Sequence, residues 1–228
     1  MSWGETYKIN SNMKKPLNEQ LRDLKFQPVR IITTTGTYTP EKNGIYKVIC
    51  VGAGGNGAAY CRDNNYRAAS GGGGGVAIKT LNLLKSSTYN VTVGTTASFS
   101  YGSNSLSATA GSNAAAGSGS ASVGTGGTAS GGDYNYTGTN GNKDESNRAI
   151  IQPGSVGVCI SDLFCSKSAW VTVAGGSWEL KYGDSILGYG GSGNGFVCYY
   201  STVAAEQGSS ITNGLPAAVI IIPLEMEE

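Results

Sequence analysis

An all-β fold, an antiparallel β-sandwich with glycine-rich loops behind one short N-terminal helix, follows from three features of the sequence. About nine or ten short runs rich in β-branched and aromatic residues are separated by frequent turn signals. Glycine supplies 36 of the 228 residues, roughly twice its ordinary share. The one helical pattern falls in residues 1–27, which hold 8 of the 31 charged residues and differ in composition from everything after them. The chain therefore divides into residues 1–27, an attachment segment, and residues 28–228, one glycine-rich β domain.

In the first part, Leu17, Leu21 and Leu24 recur at i, i+4 and i+7 in PLNEQLRDLKF, with Pro16 in the first turn. A helix of about three turns is too short to be stable alone and needs a surface to pack on. That surface is either its own domain or a larger assembly. Val29–Thr35 then reads as a strand, Thr39–Gly44 as a turn and Ile45–Val51 as a second strand. GAGGNG (Gly52–Gly57), a polar loop and five glycines (Gly71–Gly75) lead into the strands Val76–Leu84 and Tyr89–Val93.

From Ser86 to Gly132 there is no charged residue in 47 positions. Two states fit this tract: a Gly/Ser coil, or extended polyproline-II-like segments whose glycines let neighbouring backbones bond sideways. A loop, Asp133–Arg148, follows. Ser155–Ile160, Trp170–Val173, Trp178–Tyr182, Ile186–Tyr189 and Phe196–Tyr200 read as short strands, with a hairpin turn at Gly183-Asp184. Ala218–Ile222 is a continuous apolar run expected to be fully buried, ahead of an acidic tail.

Several functions are disfavoured at once. A net charge of +1 lacks the basic stripe that nucleic-acid binding needs. No apolar run approaches the ~18 residues that would insert in a membrane. The start, MSWGETYKINSNMKK, has no apolar core of a signal peptide, so synthesis in a cytoplasm is expected. There is no histidine, and the five cysteines (Cys50, Cys61, Cys159, Cys165, Cys198) show no CxxC spacing, so neither a zinc site, nor a histidine-based nucleophile, nor any cofactor is expected. Gly52–Gly57 matches GxGxxG, but pentaglycine follows where a helix is required, and no acidic residue lies between Asp63 and Asp133 to hold a ribose. Asp133 with Asp144 only loosely echoes a calcium loop. Asp133, Asp144, Glu145, Asp162 and Glu179 supply carboxylates too ordinary to define a glycosidase pair.

Thirteen tyrosines against four phenylalanines is the informative imbalance. Tyrosine offers a rigid amphipathic contact at low entropic cost, which is why binding loops favour Tyr, Ser, Gly and Asn. Tyr60 and Tyr66 between the glycine runs, Tyr101 in the uncharged tract, and Tyr134 and Tyr136 in the following loop are the expected contacts for a sugar or protein ligand.

The succession TGTYTP (Thr35–Pro40), Gly44, VICVGAGGNG (Val48–Gly57), GGGGGVA (Gly71–Ala77), YNVTVG (Tyr89–Gly94) and AAVIII (Ala217–Ile222) resembles the glycine-rich domain of bacteriophage tail proteins. It is similar in style to the adhesins at the tips of long tail fibres and to receptor-binding proteins of prophages and phage-tail-like bacteriocins. The resemblance spans about Thr33–Leu224, and between Val123 and Val171 it holds only as low-complexity sequence. It implies a sandwich with polyglycine-rich loops, no catalysis, and recognition of a bacterial surface glycan, teichoic acid or protein through variable loops. Residues 1–27 would join a tail fibre or baseplate protein, a trimer would suit a fibre, and the protein would reside in a virion or tail-like particle. A purely structural tail cap and a polysaccharide depolymerase are the alternatives.

Overall fold

The computed structural model describes residues 28–62, 65–144, 169–174, 177–182, 189–192, 195–198, 208–211 and 213–227. The N-terminal helix, the strand Ser155–Ile160 and the turn Gly183-Asp184 expected from the sequence lie outside them. Among the described residues the fold is all-β, every sheet pairing is antiparallel, and no helix occurs.

Nine strands open the chain: β1 (Arg30–Ile32), β2 (Gly36–Tyr38), β3 (Gly44–Val51), β4 (Ala58–Arg62), β5 (Asn65–Ala69), β6 (Val76–Leu83), β7 (Tyr89–Val93), β8 (Ala97–Tyr101) and β9 (Asn104–Ala108). Five short ones follow: β10 (Ala115–Ala116), β11 (Ala121–Ser122), β12 (Ala129–Ser130), β13 (Tyr134–Tyr136) and β14 (Lys143–Asp144). Then come β15 (Ala169–Ala174), β16 (Ser177–Tyr182), β17 (Gly195–Cys198), β18 (Gly208–Ile211) and β19 (Ala218–Met226). Two five-stranded sheets dominate, in the orders β1-β19-β3-β6-β13 and β12-β9-β8-β7-β2.

Period-two alternation explains their shared core. Tyr46, Val48 and Cys50 of β3 and Val219 and Ile221 of β19 turn to one side, where they meet Val91, Phe99, Leu106 and Ala108 of the second sheet in one buried cluster. Phe99 stacks on Tyr89 with ring centroids 5.4 Å apart. The Tyr46 hydroxyl, the polar tip of a buried ring, donates to the Lys42 carbonyl at 2.8 Å. On the opposite side of the first sheet Ile49, Val51, Val76, Ala218 and Ile220 form a second cluster.

Cys50 fills a small gap in the core, its Sγ 3.8 Å from the Leu106 carbonyl, and burial pushes its thiol far above the ordinary value. Native protein should therefore leave Cys50 unmodified by N-ethylmaleimide, with full labelling only after denaturation, as read by peptide mass mapping. Rapid labelling of the folded chain would mean that the core opens locally.

Three expectations change and one alternative closes. The run Val29–Thr35 is strand only over Arg30–Ile32. The chain then turns, and Thr35 Oγ1 accepts the Val93 amide at 3.0 Å and donates to the Val93 carbonyl at 3.1 Å. The loop at Asp133–Arg148 begins instead with a strand, β13, paired to β6. β19 is buried only through Ile221; a bulge between Pro223 and Glu225 carries its remainder toward solvent. The tract Ser86–Gly132, open between a coil and extended segments, is ordered and carries β7, the expected strand, through β12.

Its glycines belong to a feature at one end of the sheets. Segments 52–57, 70–75, 109–114, 123–128, 137–142, 189–192 and 213–216 lie outside any sheet, yet bond to one another through their backbones. Bonded positions recur three residues apart: Gly52 to Gly75 and Gly55 to Gly72, Gly75 to Thr109 and Gly72 to Ser112, Gly124 to Ser70 and Gly127 to Gly73. The pentaglycine is central, bonded to segments 52–57, 109–114, 123–128, 137–142 and 189–192. Packed on all sides, it has no room for side chains: a Cβ at Gly72 would meet the Thr125 carbonyl, and one at Gly74 the Gly52 carbonyl, at under 3.0 Å. None of these five glycines has a positive φ, so at Gly71, Gly72, Gly74 and Gly75 close approach and not backbone freedom requires glycine.

Segments farther out alternate glycine with Ser, Thr and Asn, whose side chains take amides left unpaired by a neighbour. Asn113 Oδ1 accepts from the Asn56 amide at 2.8 Å, Asn140 Oδ1 from Gly126 at 2.9 Å, and Ser112 Oγ from Thr125 at 2.8 Å. The layer thus answers the backbone accounting of an almost uncharged tract. GAGGNG ends β3 and enters this layer, and a strand, β4, follows it.

Candidate functional site

Among the described residues the most exposed aromatic surface is β13, an edge strand of the first sheet. Tyr134 is 62% exposed and Tyr136 37%. They pair with Ile78 and Val76, so both rings stand on the same face, at the border of the second apolar cluster.

The strand is short, and its surroundings hold it. The Asp133 carboxylate accepts from Lys79 Nζ at 2.7 Å and from the Thr80 amide at 3.0 Å, pinning the incoming turn to β6. Asn135 closes the turn by accepting the Gly132 amide at 3.0 Å and donating to its carbonyl at 2.9 Å. Gly131, at φ +78°, supplies the left-handed residue that the turn needs. At the other end Tyr136 runs into segment 137–142, held in the glycine layer. The ammonium of Lys79, with the Thr80 amide behind it, holds the Asp133 carboxyl below its usual value, and Asp133 raises that of Lys79. A lowered carboxyl contributes to stability above its unfolded-state pKa and loses that contribution as pH falls through the folded value.

The five tyrosines do not form one site. Tyr101 ends β8 half-buried, and its hydroxyl donates to the Gly131 carbonyl at 3.2 Å, so it braces the turn that presents Tyr134. Tyr60 and Tyr66 lie on a hairpin of a different sheet, opposite Arg67 and Cys61, where the sequence reading had a loop. Tyr101, Tyr134 and Tyr136 are thus brought together around one turn, and Tyr60 and Tyr66 are not.

A second concavity was not read from the sequence. A cleft of about 390 Å3 opens where the edges β1 and β2 meet, lined by Arg30, Ile31, Thr34, Thr37, Tyr38 and Glu41 among others. Arg30 and Glu41 pair at 2.6 Å on its exposed rim. Tyr38 stands edge-on to Tyr46 at 6.5 Å, and burial, followed by the charge of Tyr46, pushes its hydroxyl up to about 12. The hydroxyl-rich run TTTGTYT was the available signal, but its uniform β propensity hid the turn within it.

Both surfaces offer rings, hydroxyls and amides beside an exposed ion pair, Lys79–Asp133 at the first and Arg30–Glu41 at the second. Among the described residues no cluster of three or more His, Cys, Asp or Glu could hold a metal ion. Comparison of the chain with protein-family models, with curated proteins and with solved structures returns no match.

Proposed function

We propose that this chain is a receptor-binding component of a phage or phage-tail-like particle, which recognises a glycan, teichoic acid or protein on a bacterial surface. The observation that carries the reading is the exposed Tyr134–Tyr136 edge, held at both ends by a framework that leaves it little freedom to lose on binding. We read the two five-stranded sheets as the layers of a sandwich, because both contribute to one cluster. The seven glycine-bearing segments are read as polyproline-II-like rods, because their bonds recur every three residues.

The direction of the chain supports the same reading. Arg30 lies opposite Ile221 and Ile32 opposite Val219, so β1 runs toward the glycine layer and its start points away from it. The described chain thus enters at the end of β1 remote from the layer that Tyr136 adjoins, an arrangement in keeping with separate attachment and recognition ends. Weak single contacts would be multiplied by copies on the particle.

Fluorescently tagged protein should label intact cells of some strains in a bacterial panel and block particle adsorption to them. Replacing Tyr134 and Tyr136 by Ala should weaken labelling by at least ~10-fold, as for aromatic anchors of other interfaces, with the melting temperature unchanged. Protein that joins particles but labels no strain is a structural cap. Release of soluble saccharide, abolished by replacing one carboxylate, would make it a depolymerase.

A further inference from the structure

We propose that the sheet face beginning at β1 is the seat of this chain's own residues Leu17–Phe26. The face is apolar along its length but covered only in part. Ile49, Val51, Val76 and Ile220 are buried, and Ile78 and Ile222 are half-buried beside them. Toward the start of β1 the cover stops: Ile31, opposite Ile220, is 36% exposed and Val29 39%, while Leu224 at the bulge of β19 reaches 48%. Exposed aliphatic residues are ordinary singly, but contiguous on neighbouring strands they mark a surface with an occupant.

The N-terminal stretch supplies the occupant. Residues 1–27 lie outside the described residues and end at Gln27, two positions before Val29. Phe26 is separated from Val29 by two residues, a reach of about 10 Å. That is enough to fold back over the edge of β1 and too little to reach the glycine layer. Leu17, Leu21 and Leu24 supply the matching apolar stripe. A helix over these ten residues is about 15 Å long, close to the width of three strands at about 4.8 Å spacing. Arg22 and Lys25 would also come near the acidic end of the chain, Glu225 and Glu227, which are exposed. The seat does not rest on receptor recognition, and it leaves Met1–Lys15 as the stretch free to engage a particle.

The test is a double-mutant cycle in the full chain, Leu21→Ala with Ile31→Ala, read by melting temperature and by amide exchange of β1 and β19. Each single variant should lower the melting temperature by about 4 °C, and the double variant by little more than either alone. Leu21→Asp should speed exchange of the Ile31 and Ile222 amides by at least ~10-fold, while deletion of residues 1–15 changes neither readout. Additive losses, or exchange unaffected by Leu21→Asp, would overturn the proposal. Protection of these amides that rises with protein concentration would give the face to a second copy of the chain instead. Absence of cell labelling would sink the receptor reading and leave this one standing.

Discussion

Gly72→Ala should destabilise the domain by about 3 kcal/mol or more, a fall of roughly 6–12 °C in melting temperature. The added Cβ lands on the Thr125 carbonyl, an atom of the backbone and not of a side chain that can swing aside. Thr125 is itself fixed, because its amide bonds to Ser112 Oγ and its carbonyl accepts from the Ser112 amide. Relief therefore requires two segments to move apart, with loss of bonds on both. The control is Gly94→Ala or Gly117→Ala, where nothing lies within 4 Å of the new atom. Those variants should stay within about 0.5 kcal/mol of wild type in urea unfolding. Equal effects at Gly72 and Gly94 would show that composition matters and the close approach does not.

Phe99→Ala should cost about 3–5 kcal/mol, the range for removing a buried phenylalanine. The ring is fully buried, stacks on Tyr89, and lies in the cluster to which both large sheets contribute. Phe99→Leu, which keeps most of the volume, should cost less than about 1.5 kcal/mol. Amide exchange should speed up in β3 and β19 as well as in β7 and β8, because the cavity opens between the two sheets. A loss confined to β7 and β8 would mean that each sheet is stable without the other.

These elements were not equally legible. β3, β6 and β7 were readable to within a residue because each combines β-branched residues with clear alternation around a few large side chains. β8 and β9 were not, since each buries a single large residue, Phe99 or Leu106, among serines and alanines too small to set a period. The turn after β1 hid in a run of threonines that is equally β-prone throughout. β15 and β16 were legible as strands, but not their pairing with each other through Ala174 opposite Ser177.

The candidate site was legible as residue types and illegible as an arrangement. Tyr134 and Tyr136 stood out by composition, but only the Asp133 bond to Lys79, 54 positions away, reveals the strand that presents them. Nothing local in Tyr60 or Tyr66 indicates a different sheet. The glycine layer is the extreme case. The five neighbours of the pentaglycine are set by contacts from distant parts of the chain, and a glycine run states only that something comes close, never what.

The three-residue recurrence in that layer also constrains how such a chain can change its length. One residue inserted within 70–75 would put every later position out of step with the three-residue recurrence of its bonds, and each amide would face the wrong neighbour. Three residues would restore the phase. The excursions that leave the layer and return to it, such as β4–β5 and β10–β11, stand outside this count and can lengthen by any number. Insertions and deletions are thus quantised in the framework and unrestricted in what it displays.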